Sequence, residues 1–138
     1  MGEDIFEQHN HPNLDSDGLM NVTPNTNIIT VNVGVYPKVF ESTVENIQNS
    51  LGVHEFISHF KTGVSGDLTG EHWKAAFNQM MHSTFTKTTL KHKSYVHGLA
   101  AYLYRYGTGK NFSNSMMGSR MNSVYLENMP SGFRDYYK

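Results

Sequence analysis

The sequence predicts an α+β fold in which a small sheet packs on a long active-site helix and two further helices complete the core. Three observations predict this class. β-Branched residues dominate residues 28–35, apolar residues recur at helical spacing in three later segments, and 138 residues suit one domain with a modest core. The predicted domain spans residues 1–138, with a polar N-terminal segment, 1–27, and an irregular C-terminal segment, 107–138.

The first helix is predicted over residues 43–60, after the strand and a short connection. Ser42 and Glu45 form a capping-box pattern at its start, with Ser42 bonding forward and Glu45 reaching back. Val44, Ile47 and Leu51 recur at helical spacing. Gly52 is a poor helix former, so it would permit a local bulge or a close backbone approach.

Two more helices are predicted, over residues 71–83 and 91–106. The apolar stripe of the second helix consists of Trp73, Ala76, Phe77 and Met80. The third helix carries residues spaced to pack inward, namely Tyr95, Leu99, Tyr102 and Tyr106. We expect His92 and His97, on the same helix, to be surface residues.

The composition excludes several classes of protein. The net charge is −1, so nothing favours nucleic acid as a partner, and no apolar run is long enough to span a membrane. The acidic N-terminus predicts no signal peptide, so export would need a larger chain or a signal-independent machine. Cysteine is absent, which leaves histidine and carboxylate as ligands for a transition metal and suits zinc.

The segment of greatest chemical interest is the His-Glu-x-x-x-His pattern formed by His54, Glu55 and His59. The familiar helical zinc motif spaces its histidines four residues apart, whereas these are five apart. On a regular α-helix their side chains would diverge by roughly 140°. A π-type turn absorbs one extra residue and would bring the two rings back to one side. The alternative is an ordinary amphipathic helix with its histidines on different faces.

A third histidine, His72, opens the next predicted helix after a glycine-rich turn. We therefore predict a zinc site built by His54, His59 and His72, with Glu55 as the general base of a hydrolase. Histidine ligands usually donate their second ring nitrogen to a carboxylate or carbonyl group. Asp67 and Glu71 are the nearest carboxylates in sequence for that role.

The same segment resembles a known family. The pattern is similar to that of the C-terminal toxin domains of polymorphic and Rhs-type proteins of Bacteroidetes. Those domains resemble small zincin-type metallopeptidases. The matching residues after the His-Glu-x-x-x-His pattern are Gly63, His72, Ala75, Gln79, Met80, His82, Thr84, Thr88 and Thr89. The resemblance covers about residues 28–97. The spacing also resembles the dipeptidyl peptidase III family, although Ser58 stands where that family has glycine.

The resemblance implies a zincin-like fold and a zinc metallopeptidase that acts as a secreted antibacterial effector. It would be delivered by type VI secretion into the periplasm or cytoplasm of a target cell. The implied partners are a cognate immunity protein and a peptide or protein substrate, such as cell-wall peptide. The resemblance implies that His54, His59 and His72 bind zinc and that Glu55 is the general base. It leaves three residues as candidates for supporting the ligands or the fold: Gln79, His82 and Thr89.

Two other functions stay open at this point. One is a metal-binding module without catalysis, which would lose stability on chelation. The other is a metal-free structural or interaction domain of a secretion or phage system. Metal content and the effect of a Glu55→Gln substitution discriminate among the three.

Overall fold

The computed structural model describes residues Phe6–Gln8, Met20–Val22, Ile29–Val31, Glu41 and 43–137. The first three segments are short strands, β1, β2 and β3. β3 lies between the other two. It runs parallel to β1, with Phe6 opposite Ile29, and antiparallel to β2, with Met20 opposite Val31.

Helices make up most of the rest of the described chain. Helix α1 (Val44–Ile47) continues directly into a π-helix (Gln48–Lys61), and α2 (Trp73–Met81) follows after a turn region. Helix α3 (Leu90–Thr108) is the longest α-helix, and α4 (Ser123–Asn128) and α5 (Ser131–Tyr137) come near the C-terminus. Short 3₁₀ helices occur at Ser83–Lys87, Phe112–Asn114 and Gly118–Arg120.

The predicted α+β fold is wrong, because the described chain from residue 43 to residue 137 is helical and holds no strand. Every described buried side chain belongs to this region. Of the predicted strand at 28–35, Ile29–Val31 forms β3, and the other residues lie outside the part of the chain that the structure describes. The apolar core is formed between helices, mainly where α3 meets α2, α4 and α5.

Helix α3 is central because other helices cover it on several sides. Its side-chain cap is Thr89, whose hydroxyl accepts from the backbone N–H of His92, and it ends at Gly109 in the left-handed conformation (φ 74°). The prediction that His92 and His97 are surface residues is wrong, since they are 0% and 1% exposed. Tyr106, which was predicted to pack inward, is exposed instead.

The remaining boundaries differ from the predicted ones for local reasons. The first helix is capped by Thr43, whose hydroxyl accepts from the N–H of Asn46 at 3.1 Å. The predicted capping residue, Ser42, lies outside the described residues. Residues 107–138 were predicted to be irregular, yet they contain α4 and α5. The buried side chains of Met129 and Tyr137 pack this segment onto the core.

Candidate metal centre

The π-helix sets the spacing of the candidate site. In a π-helix each N–H bonds the carbonyl five residues earlier, so residues five apart lie on the same side of the helix. Asn49 and His54 show this periodicity, because both contact Gln79 on the neighbouring helix. The Ser58 hydroxyl also donates to the carbonyl of Val53, five residues back. The sequence left open a single π-type turn at this place or an ordinary amphipathic helix. The structure has the π geometry, over the whole of Gln48–Lys61.

The π-helix and the start of α2 bring three imidazoles together. The ring centroids lie 5.0 Å apart for His54 and His59, 5.2 Å for His54 and His72, and 4.8 Å for His59 and His72. Each ring has one nitrogen atom for which all three nitrogens lie within 4.8 Å of one another. His54 is buried, and the other two are half-buried. The predicted ligand residues are therefore neighbours in space.

Two of the rings are oriented by carbonyl oxygens. Nδ1 of His54 lies 2.6 Å from Oε1 of Gln79, and Nδ1 of His59 lies 2.6 Å from the backbone oxygen of Val64. Since a carbonyl oxygen only accepts, each Nδ1 carries the hydrogen and each Nε2 keeps its lone pair. This is the arrangement usual for histidine ligands of metals.

The third ring, that of His72, contacts His54 through its Nε2 atom. That atom of His72 lies 3.1 Å from Nε2 of His54. Because the His54 nitrogen carries a lone pair, His72 donates its Nε2 hydrogen to it, and a metal ion would have to replace this proton. Tetrahedral zinc with Zn–N distances of about 2.0–2.1 Å holds its ligand nitrogens about 3.4 Å apart. The donor atoms therefore need only small side-chain movements to fit one ion.

The electrostatics of the cluster favour neutral rings. Burial, together with the neighbouring His59 and His72, lowers the pKa of His54 to about 3. Burial likewise lowers the pKa of His59, and it lowers the pKa of His72 to about 4 with His59 adding to the effect and Asp67 opposing it. All three imidazoles are thus neutral near pH 7, as metal ligation requires.

Glu55, the predicted general base, follows His54 on the π-helix and is 5% exposed. Its Oε2 atom has no hydrogen-bond partner among the described residues. Burial raises the pKa of Glu55 to about 8, so the carboxyl is mostly protonated at pH 7. The carboxyl of Glu55 is not a member of the group of side chains that could share one ion. The catalytic role of Glu55 stays a prediction.

No family model, curated protein sequence or solved structure matches this chain. The resemblance to zincin-like toxin domains therefore rests on the sequence pattern alone. Within the described residues, no helix is both long enough and apolar enough to cross a membrane.

The residues that support the rings differ from those expected. Glu71 is exposed and pairs with Lys74 at 2.9 Å, and Asp67 acts on His72 only through its charge. Gln79, which the resemblance left without a role, is the hydrogen-bond partner of His54. The sequence reasoning missed Asn49, although its position five residues before His54 was an available signal.

The other two residues left open by the resemblance have structural contacts. His82 lies 3.0 Å from the Thr84 hydroxyl through Nδ1, and Thr89 caps α3. Neither belongs to the histidine cluster.

Proposed function

We propose that this chain is a zinc-dependent hydrolase whose metal is held by His54, His59 and His72. The convergence of these three neutral rings on one side of the π-helix carries the proposal. Three protein ligands are the number typical of catalytic zinc, because they leave a fourth position open for water or substrate. The all-nitrogen donor set suits zinc, although it does not by itself select zinc over other transition metals.

Glu55 is the residue we assign to proton transfer. When bound, zinc would lower the pKa of a water molecule and polarise a scissile carbonyl. The buried Oε2 of Glu55 has no hydrogen-bond partner in the described chain, so it is available to hold a proton. A divalent cation bound beside Glu55 would favour its carboxylate form. Glu55 would then accept a proton from a water molecule and pass it to the leaving group.

A peptide bond is the substrate that the sequence pattern favours. The resemblance to metallopeptidase toxin domains supports a secreted antibacterial effector that acts in a target cell, with an immunity protein as its partner. These finer proposals depend on the pattern at residues 54–89, whereas the metal site depends on the geometry of the three histidines.

The decisive experiment compares Glu55→Gln with a matched control, Glu127→Gln. Glu127 is exposed on α4, which contributes none of the three histidines. Zinc content is measured by elemental analysis after purification. Activity is measured as peptide cleavage and as growth inhibition when the chain is expressed in the bacterial cytoplasm or exported to the periplasm. We expect one zinc per chain in all three proteins, and loss of activity only in Glu55→Gln.

Three other outcomes would contradict parts of the proposal. Absence of stoichiometric zinc, together with no gain of stability on adding it, would favour the metal-free interaction domain. Bound zinc without any detectable cleavage or toxicity would favour the non-catalytic metal site. Full activity in Glu55→Gln would remove Glu55 from its assigned role.

A further inference from the structure

The three ligands are connected to a buried polar relay that reaches the central helix. We propose that Asn49 and Gln79 are positioning residues, which determine the nitrogen that His54 presents to the metal. The inference rests on the proposed function, because the positioning of His54 matters only if His54 binds a metal. The hydrogen-bond pattern itself is a property of the metal-free chain. The relay runs from the π-helix to α2 and α3, and its four side chains are all buried: His54, Gln79, Asn49 and His92.

The first step is the orientation of the Asn49 amide. Its Nδ2 atom lies 3.0 Å from the backbone oxygen of Gln79 and 3.0 Å from the hydroxyl of Thr84. A backbone carbonyl only accepts, so the atom facing it must be the NH₂ group. The Oδ1 atom of Asn49 therefore faces the opposite way.

The second step transfers this orientation to Gln79. Oδ1 of Asn49 lies 3.1 Å from the side-chain nitrogen of Gln79 and 2.9 Å from Nε2 of His92. Because that oxygen only accepts, Gln79 must point its NH₂ group toward Asn49. Its Oε1 atom is then left to face His54.

The third step fixes the ligand. Oε1 of Gln79 accepts the Nδ1 hydrogen of His54 at 2.6 Å, which leaves the Nε2 lone pair directed toward His72. The reversed tautomer would set two acceptors against each other in a buried place, where an unmade hydrogen bond is unfavourable. A backbone carbonyl of α2 thus determines the tautomer of a residue on the π-helix through two amide groups.

The tautomer is tested first in the metal-free chain, by nitrogen-15 NMR of the imidazole rings. We expect His54 to carry its hydrogen on Nδ1 in the unsubstituted chain and in Gln79→Glu, whose protonated carboxyl keeps an acceptor toward His54 and a donor toward Asn49. Gln79→Met removes the acceptor at similar size, and a mixture of tautomers is expected there. The matched control is Asn78→Met, which removes a hydrogen bond to Ser58 from the same two helices. A hydrogen on Nε2 of His54 in the unsubstituted chain would overturn the proposal.

Zinc affinity is measured second, by competition with a chromophoric chelator. We expect Gln79→Met to bind zinc about ten- to a hundredfold more weakly, as is typical when the outer partner of a histidine ligand is removed. Gln79→Glu should recover most of this loss, and Asn78→Met should lose little. Equal affinity in Gln79→Met and the unsubstituted chain would refute the positioning role.

Failure of the metal site itself is separable from failure of the relay. If the unsubstituted chain binds no zinc, the proposed function fails, and the NMR measurement alone decides whether the relay sets the tautomer. If Gln79→Met does not fold, the NMR measurement on the unsubstituted chain and Gln79→Glu still decides the relay.

Discussion

The buried histidines predict a strong dependence of stability on pH in the metal-free chain. His97 is 1% exposed in the core beneath α4, where its Nδ1 donates to the carbonyl of Lys93 and its ring stacks on Tyr125. Burial lowers the pKa of His97 to about 4, from an ordinary value of 6.5. Between pH 6.5 and pH 4 the unfolded chain therefore binds a proton that the folded chain does not. The folded state is fully stable above this window and loses stability as the pH falls through it.

The magnitude follows from the two pKa values. Lowering the pH from 7 to 5 costs about 2 kcal/mol for a histidine that is protonated only in the unfolded chain. His92 contributes in the same direction, since burial lowers its pKa to about 3. Glu55 opposes them, because a carboxyl whose pKa is raised to about 8 gains stability as the pH falls. His54, His59 and His72 act in the same direction as His92, because burial lowers their pKa as well. Comparing the chain with His97→Gln cancels all of these contributions.

The assay is urea unfolding at pH 7, 6 and 5 with a chelator present. The free energy of unfolding of the unsubstituted chain should fall by about 2 kcal/mol more between pH 7 and pH 5 than that of His97→Gln. His97→Gln will start from a lower stability, because a buried group loses its packing. The comparison uses only the change with pH, so this offset does not matter. An equal loss in the two proteins would refute the assignment of a buried, neutral His97.

Two glycines allow further tests. A Cβ at Gly107 would lie 2.4 Å from the backbone oxygen of Gly70 and 2.8 Å from Cδ1 of Trp73, residues on either side of His72. Gly107→Ala should therefore destabilise the chain by about 1–3 kcal/mol in thermal melts and weaken zinc binding in titrations; unchanged values would show that this close approach is unimportant. A Cβ added at Gly52, by contrast, would meet no atom of the described residues within 4 Å. Gly52→Ala should stabilise the chain by up to about 1 kcal/mol in urea unfolding, and a loss of stability would mean that the π-helix needs glycine there.

The candidate site was largely predictable because its chemistry restricts the geometry. Two histidines five residues apart on one helix bind one ion only if the backbone departs from α-helical winding, so a metal site at His54 and His59 required a π-type turn. The full extent of the π-helix could not be read in this way. It depends on contacts such as those of Asn49 with Gln79 and Thr84, which involve residues distant in sequence.

The fold class was harder to predict from the sequence, because local sequence signals do not determine how distant segments pack. The run of β-branched residues around Ile29–Val31 gave a clear local signal and does form a strand there, yet the described core is built between helices. The segment 111–138 gave a weak helical signal because it is rich in serine, asparagine and glycine. Its helices depend on tertiary packing instead, with Tyr137 stacked on Phe112 and hydrogen-bonded to the N–H of Asn122.

The unusual winding of Gln48–Lys61 has a consequence for any ion held there. If this segment relaxed to an ordinary α-helix, His59 would rotate away from His54 by roughly 140°, and the three rings would no longer share a centre. Occupancy and backbone conformation are therefore one linked equilibrium: an ion that requires all three nitrogens also selects the wider coil, and the backbone's preference for that coil contributes to the affinity.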